Sequence, residues 1–177
     1  MFSDEALKAM TVIIYHNVTL VPQSANDNCW LAAIAMLKGA TTYTPGPYAD
    51  TGFFLSEHGG IPPQAEYYKK LARAYRLRYA ELKPGADATK TLAQFQKLLT
   101  IAPVGVFDTQ LLLGKWTPHA TVIGAMKGNG TPSGTMLTEY DPWPANQGKI
   151  HPPISYQAWI TRSRYLSRPK ALLCLLY

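Results

Sequence analysis

The chain has 177 residues, 47% of them hydrophobic and 16% charged. That composition excludes a disordered or low-complexity protein and suits one globular domain, residues 1–177, with a sizeable core. Lys and Arg outnumber Asp and Glu by 17 to 11, a net charge of +6, which favours acidic partners or substrates that sit on nucleic acid, or is simply a solvated basic face. The basic residues gather in two stretches, Lys69, Lys70, Arg73, Arg76 and Arg78, then Lys149, Arg162, Arg164, Arg168 and Lys170. No nucleic-acid-binding motif accompanies them, so nucleic acid is expected as an indirect partner at most. No run of about 18 apolar residues is present, so no membrane partner is expected. The opening Met-Phe-Ser-Asp-Glu-Ala-Leu-Lys lacks the basic-then-apolar layout of a secretory signal. A cytoplasmic location in the producing cell, with any export left to a specialised machine, is the expectation.

In chain order, residues 11–21 are β-branched and aromatic and predict a strand, with His16 in a structural role. The loop from Gln23 to Asn28 is polar and turn-forming. It leads into Cys29-Trp30-Leu31-Ala32-Ala33-Ile34-Ala35-Met36, whose Ala and Leu content predicts a helix to about Leu37. Ser, Asn and Asp at the junction are helix-capping residues. A thiol at a helix N-terminus meets unpaired N–H groups and the positive end of the dipole, which favour thiolate, the nucleophilic form. Gln23, six residues upstream, is within reach of the same point if the loop folds back, and its amide can donate to an oxyanion.

Thr41 to Pro63 is rich in Pro and Gly and carries Tyr43, Tyr48, Phe53 and Phe54, which either line a cleft or pack the loop down. His58 in this loop is read as solvated. A second helix is predicted from Pro63 or Gln64 to about Arg76, then an edge strand at 77–82, a third helix at 89–99 and a strand at 101–107. Pro118 to Met126 is a β-branched strand with His119 at its start. Gly128 to Gly134 is a hairpin turn, and Thr135 to Tyr140 returns antiparallel, ending in Asp141-Pro142-Trp143-Pro144. Closing such a hairpin brings His119 and Asp141 together near its open end. Asp141 then holds one ring nitrogen and leaves the other for a thiolate. His151, before Pro152-Pro153, is read as exposed. A short amphipathic piece lies near 156–160, and Cys174 sits in a closing apolar strand as core filler. A Cys29–Cys174 disulfide is conceivable, but one nucleophile and one core thiol in a reducing compartment account better for the pair. No CxxC or HExxH motif occurs, so no metal site and no cofactor are expected.

Gln-x5-Cys-Trp before an apolar helix, His-Ala before a β-branched strand, and Asp-Pro-Trp resemble, in order, the active-site segments of papain-like cysteine peptidases. The motifs cover about a fifth of the chain. Asp141 stands where papain has Asn, and the second Gly and Cys usual around the nucleophile are absent. The resemblance implies an α+β fold with the nucleophile's helix packed on an antiparallel sheet. It also implies Cys29 as nucleophile, His119 as acid and base, Asp141 as third member, Gln23 at the oxyanion hole, and Trp30 and Trp143 as shielding aromatics. The compact chain is most similar to bacterial effectors and toxins of that family. This implies a protease acting on specific intracellular proteins of a target cell, with an immunity protein blocking its cleft. A glutamine deamidase or transglutaminase-like enzyme, a peptidoglycan amidase, and a binding module without catalysis are the alternatives.

Overall fold

The computed structural model describes residues 11–25, 28–42, 61, 64–82, 88–112, 115–166 and 172–177. The segment bearing Tyr43, Tyr48, Phe53, Phe54 and His58 lies outside them, as do the N-terminal ten residues, Arg168 and Lys170. Among the described residues four helices accompany an antiparallel sheet of eight strands, an α+β arrangement. No helix among these residues is long and apolar enough to cross a membrane.

The strands are β1 (Val12–Tyr15), β2 (Arg78–Leu82), β3 (Val104–Leu112), β4 (Lys115–Gly128), β5 (Thr135–Asp141), β6 (Lys149–Ile150), β7 (Ile154–Ser155) and β8 (Leu172–Leu176). Their order across the sheet is β2-β8-β3-β4-β5-β6, with β1 paired to β4 and β7 to β5. The apolar C-terminal strand β8 is interior, between β2 and β3, while β2 is an edge strand as its charged sequence predicts. Alternation along the strands divides the core in two. On one face Phe107, Ala120, Val122, Tyr140 and Leu175 meet helices α1 (Cys29–Leu37) and α2 (Ala65–Tyr75). On the other, Val104, Val106, Ile123, Leu137 and Cys174 meet α3 (Ala88–Ile101) and α4 (Tyr156–Leu166). There Phe95, Tyr156 and Trp159 stack at centroid distances of 5.2–6.1 Å.

All nine residues of α1 are buried, as expected for a helix apolar on every side. Cys29 is its first residue. The sequence places the helix ends well, but it misses the length of α4, which continues six residues past Ile160 through a polar and basic stretch.

The β4–β5 hairpin contains the feature that positions the site. From Gly128↔Thr135 to Ala125↔Thr138 the partners run in one register, and from Ile123↔Glu139 to Val122↔Tyr140 they run in another. Gly124 is the extra residue of a bulge. A Cβ there would stand 2.7 Å from the Tyr140 ring and 2.9 Å from Val18, so the close packing requires glycine. Without the bulge, Asp141 would pair with Val122 and face α1. With it, Asp141 falls opposite Thr121, on the same face as His119, because side chains alternate with period two.

At the closed end of this hairpin, a Cβ on Gly128 would lie 2.1 Å from the Gly134 carbonyl oxygen and 2.5 Å from the Thr135 Cα. Both neighbours are backbone and cannot swing aside. Gly128→Ala is expected to destabilise the protein by about 1–3 kcal/mol, as overpacking does, measured by urea unfolding. An unchanged midpoint would show that the turn relaxes freely.

Candidate functional site

Cys29, His119 and Asp141 come from three separate elements: the start of α1, the fifth residue of β4 and the last residue of β5. The structure brings them together in a nearly closed environment, each at most 5% exposed. Nε2–H of His119 donates to Oδ1 of Asp141 at 2.7 Å. The ring also lies close enough to the Cys29 sulfur for the two groups to interact, and with Nε2 committed to Asp141 the nitrogen left for the thiol is Nδ1. Asp141 is held further by the Trp143 backbone N–H on Oδ1 at 2.8 Å, and by His151 Nε2–H on Oδ2 at 3.1 Å.

The electrostatics follow from these partners. Burial acts to lower the His119 pKa, but the hydrogen bonds to Asp141 and Cys29, with the charges behind them, outweigh it and push it up to about 10. Burial alone would raise the Asp141 pKa. The hydrogen bond and charge of His119, with the donors from Trp143 and His151, hold it below the usual carboxylate range instead. His119 thus favours folding below its unfolded pKa of about 6.5, and that contribution is lost as pH rises through about 10. Asp141 contributes above its unfolded value and loses its contribution as pH falls through its depressed folded value. The imidazolium–carboxylate pair is therefore the form present across the neutral range.

Asn28 occupies the cap position, as the sequence predicts, but makes no side-chain cap to α1. Its Oδ1 accepts from Ala25 N–H at 3.2 Å and its Nδ2 donates to Ser24 Oγ at 3.1 Å, folding the side chain back into the loop. The cap side chain therefore does not take up the N–H groups of the first turn, where Cys29 sits.

Gln23 is 1% exposed, and its backbone is fixed to the segment that follows Asp141. Its N–H donates to Pro142 O at 3.1 Å, and its carbonyl accepts from Asn146 N–H at 2.7 Å. Its side-chain Nε2 donates to Ala25 O at 2.6 Å, within its own loop, while Oε1 is buried with no hydrogen-bond partner among the described residues. One amide hydrogen remains for an oxyanion. Trp30 is buried behind Cys29, edge-on to Tyr75 at 6.3 Å. Trp143 is half-buried, and its backbone serves Asp141. His16 lies apart, donating through Nε2 to the Leu99 carbonyl near the end of α3 at 2.6 Å, a structural contact. Both cysteines are free, and burial raises the pKa of the Cys174 thiol far above its ordinary value.

His151 corrects the sequence reading. Expected to be exposed, it is partly buried on the second oxygen of Asp141. The strand that leads into it, β6, is two residues long and exposed, so no periodicity marks His151. The only signal in the sequence is a fourth histidine ten residues after a candidate carboxylate, beyond a Pro/Gly turn.

Space around the site is uneven. A cavity of about 10 Å³ lies between Cys29, Trp30, Phe107, Pro118 and His119, room for roughly one water. A larger cleft of about 480 Å³, lined by Val21, Pro22, Ser24, Asn28, Leu31 and Asn146 among others, opens on the loop side of Cys29. Its lining residues among those described are uncharged. No protein-family model matches the chain, and a search of curated proteins found no match.

Replacing Asp141 with Asn keeps the shape and removes the charge. The His119 titration midpoint, read from its ring proton by NMR, is expected to fall from about 10 by roughly 1–3 units, the usual effect of an adjacent opposite charge. A midpoint unmoved by the substitution would mean that Asp141 does not govern the ring.

Proposed function

We propose that this protein is a cysteine hydrolase of the papain-like type that cleaves peptide bonds in protein substrates. The observation that supports this reading best is a single one. A cysteine at the N-terminus of a buried helix lies beside a histidine whose Nε2 is held by a buried carboxylate. This is the nucleophile–base–orienter arrangement of covalent acyl transfer.

In the proposed reaction the Cys29 thiolate attacks the substrate carbonyl carbon and forms a tetrahedral oxyanion. Helix N–H groups at Cys29 and the remaining Gln23 amide hydrogen stabilise that charge. His119 gives its proton to the departing amine, and the C–N bond breaks to leave a thioester. Water then attacks the thioester with His119 as base, releasing the acid and restoring the thiolate. Asp141 keeps the ring in the productive orientation and supports its positive charge. No step requires a cofactor. The role of a toxin acting inside a target cell, with an immunity partner over the cleft, belongs to the same proposal and rests on the motif resemblance.

Brief expression of the wild type and of Cys29→Ala in a bacterium, followed by whole-proteome mapping of N-termini, tests this directly. New N-termini on one or a few proteins are expected with the wild type, with at least about a hundredfold fewer cleavage products from the variant, since loss of the nucleophile removes most of the catalysis. Gln-to-Glu mass shifts without cleavage would instead identify a deamidase. Equal cleavage by both proteins would remove Cys29 from the chemistry.

A further inference from the structure

Asp141 accepts three hydrogen bonds, and the motif resemblance accounts for only part of them. Oδ1 serves His119 at 2.7 Å and the Trp143 N–H at 2.8 Å, while Oδ2 serves His151 at 3.1 Å. The chain makes a specific effort to return His151 to this point. After Asp141 it turns through 142–148, with Asn146 and Gly148 at positive φ (64° and 63°) and the Gln147 and Gly148 N–H groups on the Pro144 carbonyl at 3.1 and 2.8 Å. Strand β6 then pairs back on β5, Asp141↔Lys149 and Tyr140↔Ile150, and the His151 N–H closes on the Glu139 carbonyl at 2.9 Å. This backbone frame fixes the ring against Oδ2.

The chemistry of the acceptor then matters. A carboxylate offers two acceptor oxygens, whereas an asparagine offers one and presents an NH₂ in place of the other. With Asn at 141, the single oxygen would serve His119 and Trp143, and the NH₂ would face His151 Nε2, which could pair with it only by changing from donor to acceptor tautomer. We propose that His151 is a positioning residue of this site: it clamps Oδ2, fixes the plane of the carboxylate under His119, and as an Nε2–H donor favours a two-oxygen acceptor at position 141. The inference deepens the proposed acyl-transfer chemistry and rests on Cys29 being its nucleophile. It also gives a physical reason for the Asp at this position, where papain has Asn.

A substrate is not needed for the test. The rate of Cys29 alkylation by iodoacetamide at pH 7, followed by mass spectrometry of the Cys29 peptide, reads how well His119 supports the thiolate. Cys174 is fully buried and is resolved separately by peptide mapping. His151→Ala is expected to slow alkylation about tenfold, the order of loss when one hydrogen bond to a buried charged group is removed. His151→Gln, whose amide nitrogen reaches the same place as a neutral donor, should return the rate to within about threefold of wild type. His151→Leu keeps the bulk without the donor and should behave as Ala does, which secures the test if Ala weakens the fold. Asp141→Asn combined with His151→Ala should be no slower than Asp141→Asn alone, because the two residues act as one unit.

Wild-type alkylation in the Ala and Leu variants, a Gln variant as slow as Ala, or losses that multiply in the double variant would each overturn the positioning role. Failure of the underlying reading looks different. There His119→Ala would be alkylated at Cys29 as fast as the wild type, leaving no activated pair for His151 to position.

Discussion

A carboxylate taken out of water stays ionised only when donors replace the lost hydration. Asp141 is 5% exposed and gathers donors from a strand, a turn and a returning strand: His119, the Trp143 backbone and His151. Burial alone would lower the His119 pKa; the hydrogen bond to this carboxylate, with the interaction with Cys29 and then the Asp141 charge, raises it instead. Much of the local architecture is organised to meet this requirement. The turn after Asp141 is tied to Gln23 by two backbone hydrogen bonds, so the carboxylate and the loop entering α1 form one rigid unit.

A second polar rung lies directly beside the first. Two residues along each strand, the Thr121 hydroxyl donates to Glu139 at 2.9 Å, and Arg162 from α4 reaches both Glu139 oxygens at 2.8–2.9 Å. Glu139 is 1% exposed, and removing its partner would strand a buried charge at a cost of about 3–5 kcal/mol. This pair fixes α4 to the hairpin and holds the strands in the register that His119 and Asp141 need. The α1 side contributes differently. Its apolar burial places Cys29 by packing, while the Asn28 side chain turns away from the helix terminus into the loop. Stability and reactivity are thus divided between the polar strands and the apolar helix.

The motifs at Gln23, Cys29, His119 and Asp141 are legible in the sequence because each is carried by local chemistry. A polar loop meets an Ala-rich helix at Cys29, a β-branched run starts beside His119, and a Gly-rich turn folds Asp141 back. The helix bearing Cys29 ends at Leu37 as its composition predicts. The interior position of the closing apolar strand also agrees with its lack of any polar face. Local propensity and period were sufficient for these elements.

What tertiary structure alone decided is parity and partnership. A single extra residue at Gly124 determines whether Asp141 shares a face with His119, and no pattern in a β-branched strand announces a bulge there. The capping role of Asn28 was legible as a position, but the direction of its side chain depended on Ser24 and Ala25 folding back toward it. The second oxygen of Asp141 was assigned to His151 by a two-residue strand too short to carry any periodicity. Residue types and their order follow from the sequence by itself. The register, the face and the third donor on the carboxylate are products of long-range pairing, in which free energy depends on which strand lies alongside and not on any neighbour in the chain.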